Sequence, residues 1–588
     1  MDSSTETVCS SVAHRRVRPT IHITDSCWIN DPCAPGFDPK SGDYHLFYQC
    51  NPHGCEWGNM SWGHVTSRDL VQWSKVRSEP ALKPDMDYDK DGVFTGCFVP
   101  VVGDDENLTV VYSSVRKLPF HWSTPPYPRN AAGISIATSS DGGVSWKKLP
   151  NNPVLQGEPK DVQVTGFRDP YIALWPALDN LRGAKESCFY TLVSGGFESC
   201  GPTTFLYAIS KSDVGSWEYL GPLVDLPARF SPSNSPEVNF GLNWECTNFM
   251  SFEESGNVRH FLIIGAEGDV ERSHLRDGSL KRTVRQQLWM CGDLDNHDDG
   301  IRMNYKYGGI LDHGSYYAAN SFHDPRSGKR IVHGWIPEED CTSEFATGKG
   351  WNGSLALPRE VFLLSIPGAS RALRTPLSDL ADVEASRNEN GLYDLLTLGV
   401  KPLEDLKTIR ESSSHVTNLN DISFYSGSNS ETIATIATPA WELESAIRLP
   451  EDCKSFALAV RRKDTQKILF EIVFSPENET ITIHRRHSDP SGPFNDCPEI
   501  GSFTLFEIKD PQTSELKFEE LRLRVFSDGD ILEVFANDRF ALATMVYREF
   551  EGEEFEIVPS MVGSTGEAVL SAFSLWDGIA STKSFVTC

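Results

Sequence analysis

Ser67-Arg68-Asp69 leads to Trp73, Ser140-Asp141-Gly142 leads to Trp146, and Ser212-Asp213 leads to Trp217. The aspartates are evenly spaced, 72 residues from 69 to 141 and again from 141 to 213. Each follows a short apolar or alternating run: Met60 to Thr66, Ile134 to Thr138 and Phe205 to Ser210. Each therefore reads as strand, Ser-Asp turn, Trp-led strand. Such turns are common in any β protein, but equal spacing twice over argues for a repeated unit. A repeat of this size made of short strands signals a solenoid or a propeller, with four longer strands and their loops per unit. Two to three further units would fill the chain from Met1 to about Pro376, where no amphipathic helix pattern stands out. A propeller's innermost strands line a central channel that is open to ligand at one end.

Downstream the pattern changes. Between about Leu373 and Leu406, segments such as Leu377-Ser378-Asp379-Leu380 look like a linker with a helical turn or two. Alternation then returns. Leu521, Leu523 and Val525 alternate with Arg522 and Arg524, and Ser527-Asp528-Gly529-Asp530 turns into Ile531 to Ala536. Ile468 to Phe474, a turn over Ser475 to Glu479, and Thr480 to His484 form a second hairpin. Hairpins at this spacing predict a β-sandwich. The expected organisation is all-β: a propeller over 1–375, a linker over 376–408 and a sandwich over 409–588.

Composition narrows the function. A net charge of −28, with no long basic block, argues against nucleic acid and anionic membrane surfaces as partners. It suits a neutral ligand such as a sugar, and it also keeps a protein soluble. No run of about 18 apolar residues occurs, and Met1 to Thr20 lacks a signal-peptide core. The 14 cysteines are then expected as reduced thiols in a cytoplasmic protein. Their spacing (Cys27 and Cys33, Cys50 and Cys55) lacks the close pairs of a structural zinc site. Sequons at Asn59, Asn107, Asn352 and Asn478 carry little weight in such a compartment.

Three motifs carry candidate chemistry: Trp28-Ile29-Asn30-Asp31-Pro32, Phe167-Arg168-Asp169-Pro170 and Trp244-Glu245-Cys246. Singly, each reads as an ordinary turn or a half-buried strand. Against the repeat they gain meaning. Asp31 lies 38 residues before Asp69 and Asp169 lies 44 before Asp213, which puts each near the first, innermost strand of its unit. Asp31, Asp169 and Glu245 would then converge at the channel mouth. Paired carboxylates are what glycoside cleavage needs: one protonates the leaving oxygen, and the other attacks the anomeric carbon or activates water. Crowding and burial raise one pKa so that one acid keeps its proton. A third carboxylate can hold ring hydroxyls.

With these motifs the chain resembles glycoside hydrolase family 32, the invertases, inulinases and fructosyltransferases. Further matching segments are Phe47 to Pro52, Trp57 to His64, Asp91 to Gly96, Leu311 to Ala318, Gly334-Trp335-Ile336, Gly350 to Glu360 and Leu532 to Asn537. The resemblance implies a five-bladed β-propeller followed by a β-sandwich, and no metal or organic cofactor. It implies that Asp31 is the nucleophile and Glu245 the general acid/base, with Asp169 and Arg168 holding the fructosyl hydroxyls. Asn30, Gln49, Trp57, Phe94, Thr95, Tyr317 and Trp335 would line the fructose pocket. Two departures bear on the acceptor side: Cys33-Ala34-Pro35 after Pro32, and Thr247 after Cys246. Val111 to Val115 together with Leu118 to Ser123 looks more like fungal fructosyltransferases than plant invertases. His121 and Trp122 are thus candidates for leaving-group or acceptor binding, with an ordinary packed loop as the other reading.

The expectation is a retaining β-fructofuranosidase acting on sucrose, with hydrolysis and transfer to fructooligosaccharides. An inulinase or levanase acting on polymers is the nearer alternative, and a non-catalytic fructoside-binding protein the farther one. The second domain is a packing partner or an oligomer interface. Leu521 to Phe526 could pair across a homodimer, or be buried within the sandwich.

Overall fold

A computed structural model describes residues 17–101, 107–232, 235, 237–254, 256–268, 283–298, 300–427, 431–485, 494–548 and 552–580. Most of the N-terminal stretch read for a leader lies outside these residues.

Five antiparallel sheets follow one another along the first two thirds of the chain. Their first strands are Trp28–Asp38, Gly92–Phe98, Val164–Leu174, Asn243–Glu254 and Tyr317–His323. Each packs against the next, and the fifth packs against the first, so the five close a ring around a channel. The ring is sealed where Leu355 N donates to Ile23 O (2.9 Å) and Ile29 N to Asn352 O (2.9 Å). Inner strands such as Phe189–Phe197 are buried on both faces, so apolar residues do not alternate with exposed ones along them, and the polar Thr191 and Ser194 are buried too. The outer strand Asp213–Pro222 is largely exposed.

The Ser-Asp-Trp repeat marks one place in three blades, the turn between the third and the outermost strand. Asp69 Oδ1 caps the amides of Val71 and Gln72, and Trp73 Nε1 donates to Leu70 O (3.1 Å). Trp146 Nε1 to Gly143 O (3.0 Å) and Trp217 Nε1 to Val214 O (2.8 Å) repeat that closure. Two seven-residue helices, Pro176–Arg182 and Ser343–Lys349, interrupt the β pattern. Two turns are too short for a 3.6-residue period to show in sequence.

The stretch read as a linker is partly strand. Tyr393–Pro402 pairs along the long strand Arg359–Ala372, giving the fifth blade its fourth strand. The same long strand also pairs with Phe506–Lys509, tying this blade to the second domain. That domain is a sandwich of a seven-stranded and a six-stranded sheet. Both expected hairpins form, one in each sheet: Leu521–Asp528 with Ile531–Ala536, and Ile468–Ser475 with Thr480–Arg485. Leu521–Asp528 is hydrogen-bonded on both edges, to Ala440–Arg448 and to Ile531–Ala536. Its strand edges are therefore used within the sandwich and are not free to pair across a dimer.

The sandwich grips the propeller through buried charge. Asp528 accepts from the amides of Thr20, Ile21 and His22, and His22 bridges Asp528 and Glu533 at 3.0 Å each. Arg359 joins Glu533 (2.7 Å) to Asp312 (2.8 Å). Such groups persist only because each is paired.

Candidate active site

Every first strand is bulged at the same level. The pairing register slips between Ile29 and Pro32, Val93 and Gly96, and Glu245 and Asn248. It slips again opposite Asp169-Pro170 and between Tyr317 and Asn320. A bulge inserts an unpaired residue and re-aims side chains. Here the five bulges turn Asn30 and Asp31, Phe94 and Thr95, Arg168 and Asp169, Glu245, and Tyr317 toward one end of the channel. Asp169, Cys246 and Ala318 hold positive φ (60°, 48° and 53°), backbone strain concentrated at the bulges of three adjoining blades. Asp-Pro at 31–32 and 169–170 makes this possible, since a proline within a strand is at home in a bulge.

The end of the channel is a cavity of about 480 Å³. It is lined by Asn30, Asp31, Gln49, Trp57, Phe94, His121, Trp122, Arg168, Asp169, Glu245, Tyr317 and Trp335, all expected from the sequence. Thr95 is the exception. It is buried behind Asp31, donating to Asp31 Oδ2 (2.5 Å) and accepting from Gln49 Nε2 (2.5 Å). Asn30 Nδ2 donates to the other oxygen of Asp31 (3.1 Å). The Cys246 thiol lies 3.8 Å from Asp31 Oδ2 and 3.7 Å from Asp169 Oδ2, so the two carboxyls share one neighbour. Arg168 donates through Nε (3.0 Å) and Nη2 (2.6 Å) to Glu245 Oε1, and Tyr317 OH donates to Glu245 Oε2 (2.9 Å). Gly265 makes room for that tyrosine: a Cβ there would stand 2.9 Å from its ring.

The departures after Pro32 and Cys246 do not shape this cavity. Cys33, Ala34 and Thr247 are fully buried in the propeller wall and do not line it.

Electrostatics separate the acids. Burial, aided by the charge of Glu245, pushes Asp31 up to about 6 against the bonds from Thr95 and Asn30. Burial pushes Asp169 up to about 8, with Arg168 opposing and Glu245 and Asp31 reinforcing. Burial also favours a proton on Glu245, but the Arg168 guanidinium outweighs it and holds this carboxyl down at about 2. Among the described residues, no three His, Cys, Asp or Glu are arranged to hold a metal ion.

Three charged residues of the cavity escape a reading from sequence: Glu267, Arg285 and Glu339. Arg285 Nη2 donates to Glu339 (2.9 Å), and the guanidinium lies 5.2 Å from the ring centres of both Tyr317 and Trp335. Glu267 shares Arg168 Nη2 (2.8 Å) with Glu245 and accepts from Asn243 (3.1 Å). A topological signal could have found two of them. Antiparallel strands return the ends of second strands and the starts of third strands to the channel mouth. Glu267 ends a second strand, and Arg285 immediately precedes a third.

Comparison with known proteins decides the lineage. Residues 22–373 match the model of the glycosyl hydrolases family 32 N-terminal domain, and residues 405–577 match the family 32 C-terminal model. The chain belongs to glycoside hydrolase family 32. Among family 32 relatives, it is 28% identical over 65% of its length to a rice (Oryza sativa subsp. japonica) insoluble β-fructofuranosidase isoenzyme, of which the alignment spans 58%. It is 26% identical over 93% of its length to a fructan 1-exohydrolase of Hordeum vulgare, covering 83% of that protein. A solved β-fructofuranosidase of Aspergillus kawachii, complexed with glycerol, superposes with a TM-score of 0.84 at 25% identity, covering 98% of both chains. The chain thus spans less than two thirds of the rice relative's length. The all-β family 32 architecture of propeller and sandwich agrees with these likenesses.

Proposed function

We propose that the protein is a retaining β-fructofuranosidase that cleaves sucrose through a fructosyl ester on Asp31. The supporting observation is the placement of Asp31 and Glu245 on the bulges of two first strands, facing one small cavity with Arg168 and Asp169 beside them. Paired acids across one sugar are what glycoside cleavage uses. Asp31, held by Asn30, Gln49 and Thr95, attacks the anomeric carbon. Glu245 gives a proton to the leaving oxygen and later takes one from the incoming water. Asp169 receives hydroxyls of the fructosyl ring, contacts that strengthen as positive charge develops. The rim of Trp57, His121 and Trp122 is suited to the leaving glucose, and to a second sugar that competes with water for the ester. The barley relative favours a second reading, exo-cleavage of fructans by the same acids.

Asp31→Ala and Glu245→Gln are expected to fold with unchanged melting temperature. Asp31→Ala should lose essentially all sucrose turnover and Glu245→Gln about 10²–10⁴-fold. Turnover within a few-fold of wild type in either variant refutes the assignment. Rates on sucrose, kestose and inulin, with chromatography of the products over time, separate hydrolysis, transfer and fructan cleavage.

A further inference from the structure

In the free site Glu245 is set up as an anion. One of its oxygens takes two bonds from Arg168 and the other takes one from Tyr317. It is nevertheless the group that must protonate the leaving oxygen. A proton lies one carboxyl away. Glu267 is buried, with its side chain 9% exposed, and its carboxyl and that of Glu245 bind the same Arg168 nitrogen, at 2.8 and 2.6 Å. Two carboxyls so close cannot both ionise freely. Burial, then the Glu245 charge, push Glu267 up to about 8 against Arg168. The other groups facing it are Asn243, whose amide donates to it, and His121, half exposed, with Nε2 at 3.5 Å. Arg285 and Tyr317 complete the surrounding charge and dipole.

We propose that Glu267 is the proton store of Glu245, passing a proton to it as the fructosyl bond breaks and taking one back when the ester is hydrolysed. This rests on the fructosidase reading above. In the first step the bond from the anomeric carbon to the leaving oxygen breaks and the Asp31 ester forms. Glu245 protonates the leaving oxygen, and the proton of Glu267 moves to Glu245. In the second step water adds to the anomeric carbon and the ester breaks. The water's proton goes to Glu245, and through it the pair regains its single proton. Atoms and charge balance over the cycle without an added acid. Glu267 never touches the sugar carbon in this scheme; it acts through Glu245.

The test compares kcat/KM for sucrose and for p-nitrophenyl β-D-fructofuranoside in wild type, Glu267→Gln and Glu267→Asp, between about pH 4 and 9. The aryl leaving group departs without a proton, so only sucrose cleavage depends on the store. Glu267→Gln should lose at least about tenfold more on sucrose than on the aryl fructoside. Its basic limb on sucrose should move down from near pH 8, and Glu267→Asp should recover part of both effects. Infrared difference spectra between about pH 6 and 9.5 should show protonated-carboxyl absorption from both Asp169 and Glu267 titrating in wild type, with the Glu267 share lost in Glu267→Gln and the Asp169 share kept. Equal losses on the two substrates, an unmoved limb, or an unchanged carboxyl band overturns the proposal. A wild type that cleaves neither fructoside fails earlier, overturning the fructosidase reading itself.

Discussion

Replacing Thr95 by Val removes one hydroxyl at nearly constant volume. Thr95 is 2% exposed, so it reaches no sugar; its hydroxyl serves Asp31 at 2.5 Å and is fed by Gln49 at 2.5 Å. That bond is the strongest influence opposing the burial that raises Asp31 to about 6. A hydrogen bond to a charged group contributes about 1.5–3 kcal/mol. One pKa unit is about 1.4 kcal/mol, so its loss should raise Asp31 by about one to two units. Asp31 attacks only when ionised, so the acid limb of kcat/KM should move from near pH 6 to about 7–8. At pH 6.5 the variant should lose about tenfold, and the deficit should shrink as pH rises. Stability follows the same sign. A carboxyl whose folded pKa lies above its unfolded value of about 3.9 binds its proton more tightly when folded. Its contribution is therefore full below about pH 4 and is lost as pH rises through the folded value. The Val variant should melt close to wild type at about pH 4 and below it at about pH 8. A pH–rate profile and melts at the two pH values measure both effects. Equal loss of activity at every pH, with the acid limb unmoved, would refute the reasoning.

Three further outcomes follow from the same geometry. Trp57 lines the cavity while 52% exposed, so Trp57→Ala should raise KM by about tenfold and shift product ratios without lowering the melting temperature. His22 is lowered by burial but raised more by Asp528 and Glu533, to about 9. Its stabilisation is full below about pH 6.5 and lost as pH rises through about 9. His22→Gln should cost about 3–5 kcal/mol at pH 6 and flatten that alkaline slope in denaturant titrations. Trp73→Phe keeps an aromatic ring but drops the bond to Leu70 O and leaves a small cavity in the buried site, so it should cost about 1–3 kcal/mol and leave kcat/KM unchanged.

Much of this arrangement is legible in the sequence, for identifiable reasons. The Ser-Asp-Trp turns stand out because one local device, an aspartate capping amides and an indole closing the loop, recurs at one position in three blades. Asp31-Pro32 and Asp169-Pro170 point to bulges because proline cannot serve a regular ladder. The fourth blade lacks the tryptophan turn, so its strand limits, and with them Glu267 and Arg285, escape a reading by repeat. Tyr393–Pro402 is hidden for another reason: it joins its sheet through Arg359–Ala372, a strand that serves both domains. The His22–Asp528–Glu533 lock joins residues some 500 positions apart, which no local pattern can reveal.

The most direct test of the central claim is covalent. Glu245→Gln should form the ester on the aryl fructoside and hydrolyse it slowly, because the base that activates water is gone. Rapid acid quench, digestion and mass spectrometry should then find one anhydrofructosyl unit on the peptide that carries Asp31, and none in the Asp31→Ala, Glu245→Gln double variant. A fructosyl adduct on another residue, or steady release of fructose with no adduct at any time, would contradict a nucleophilic Asp31.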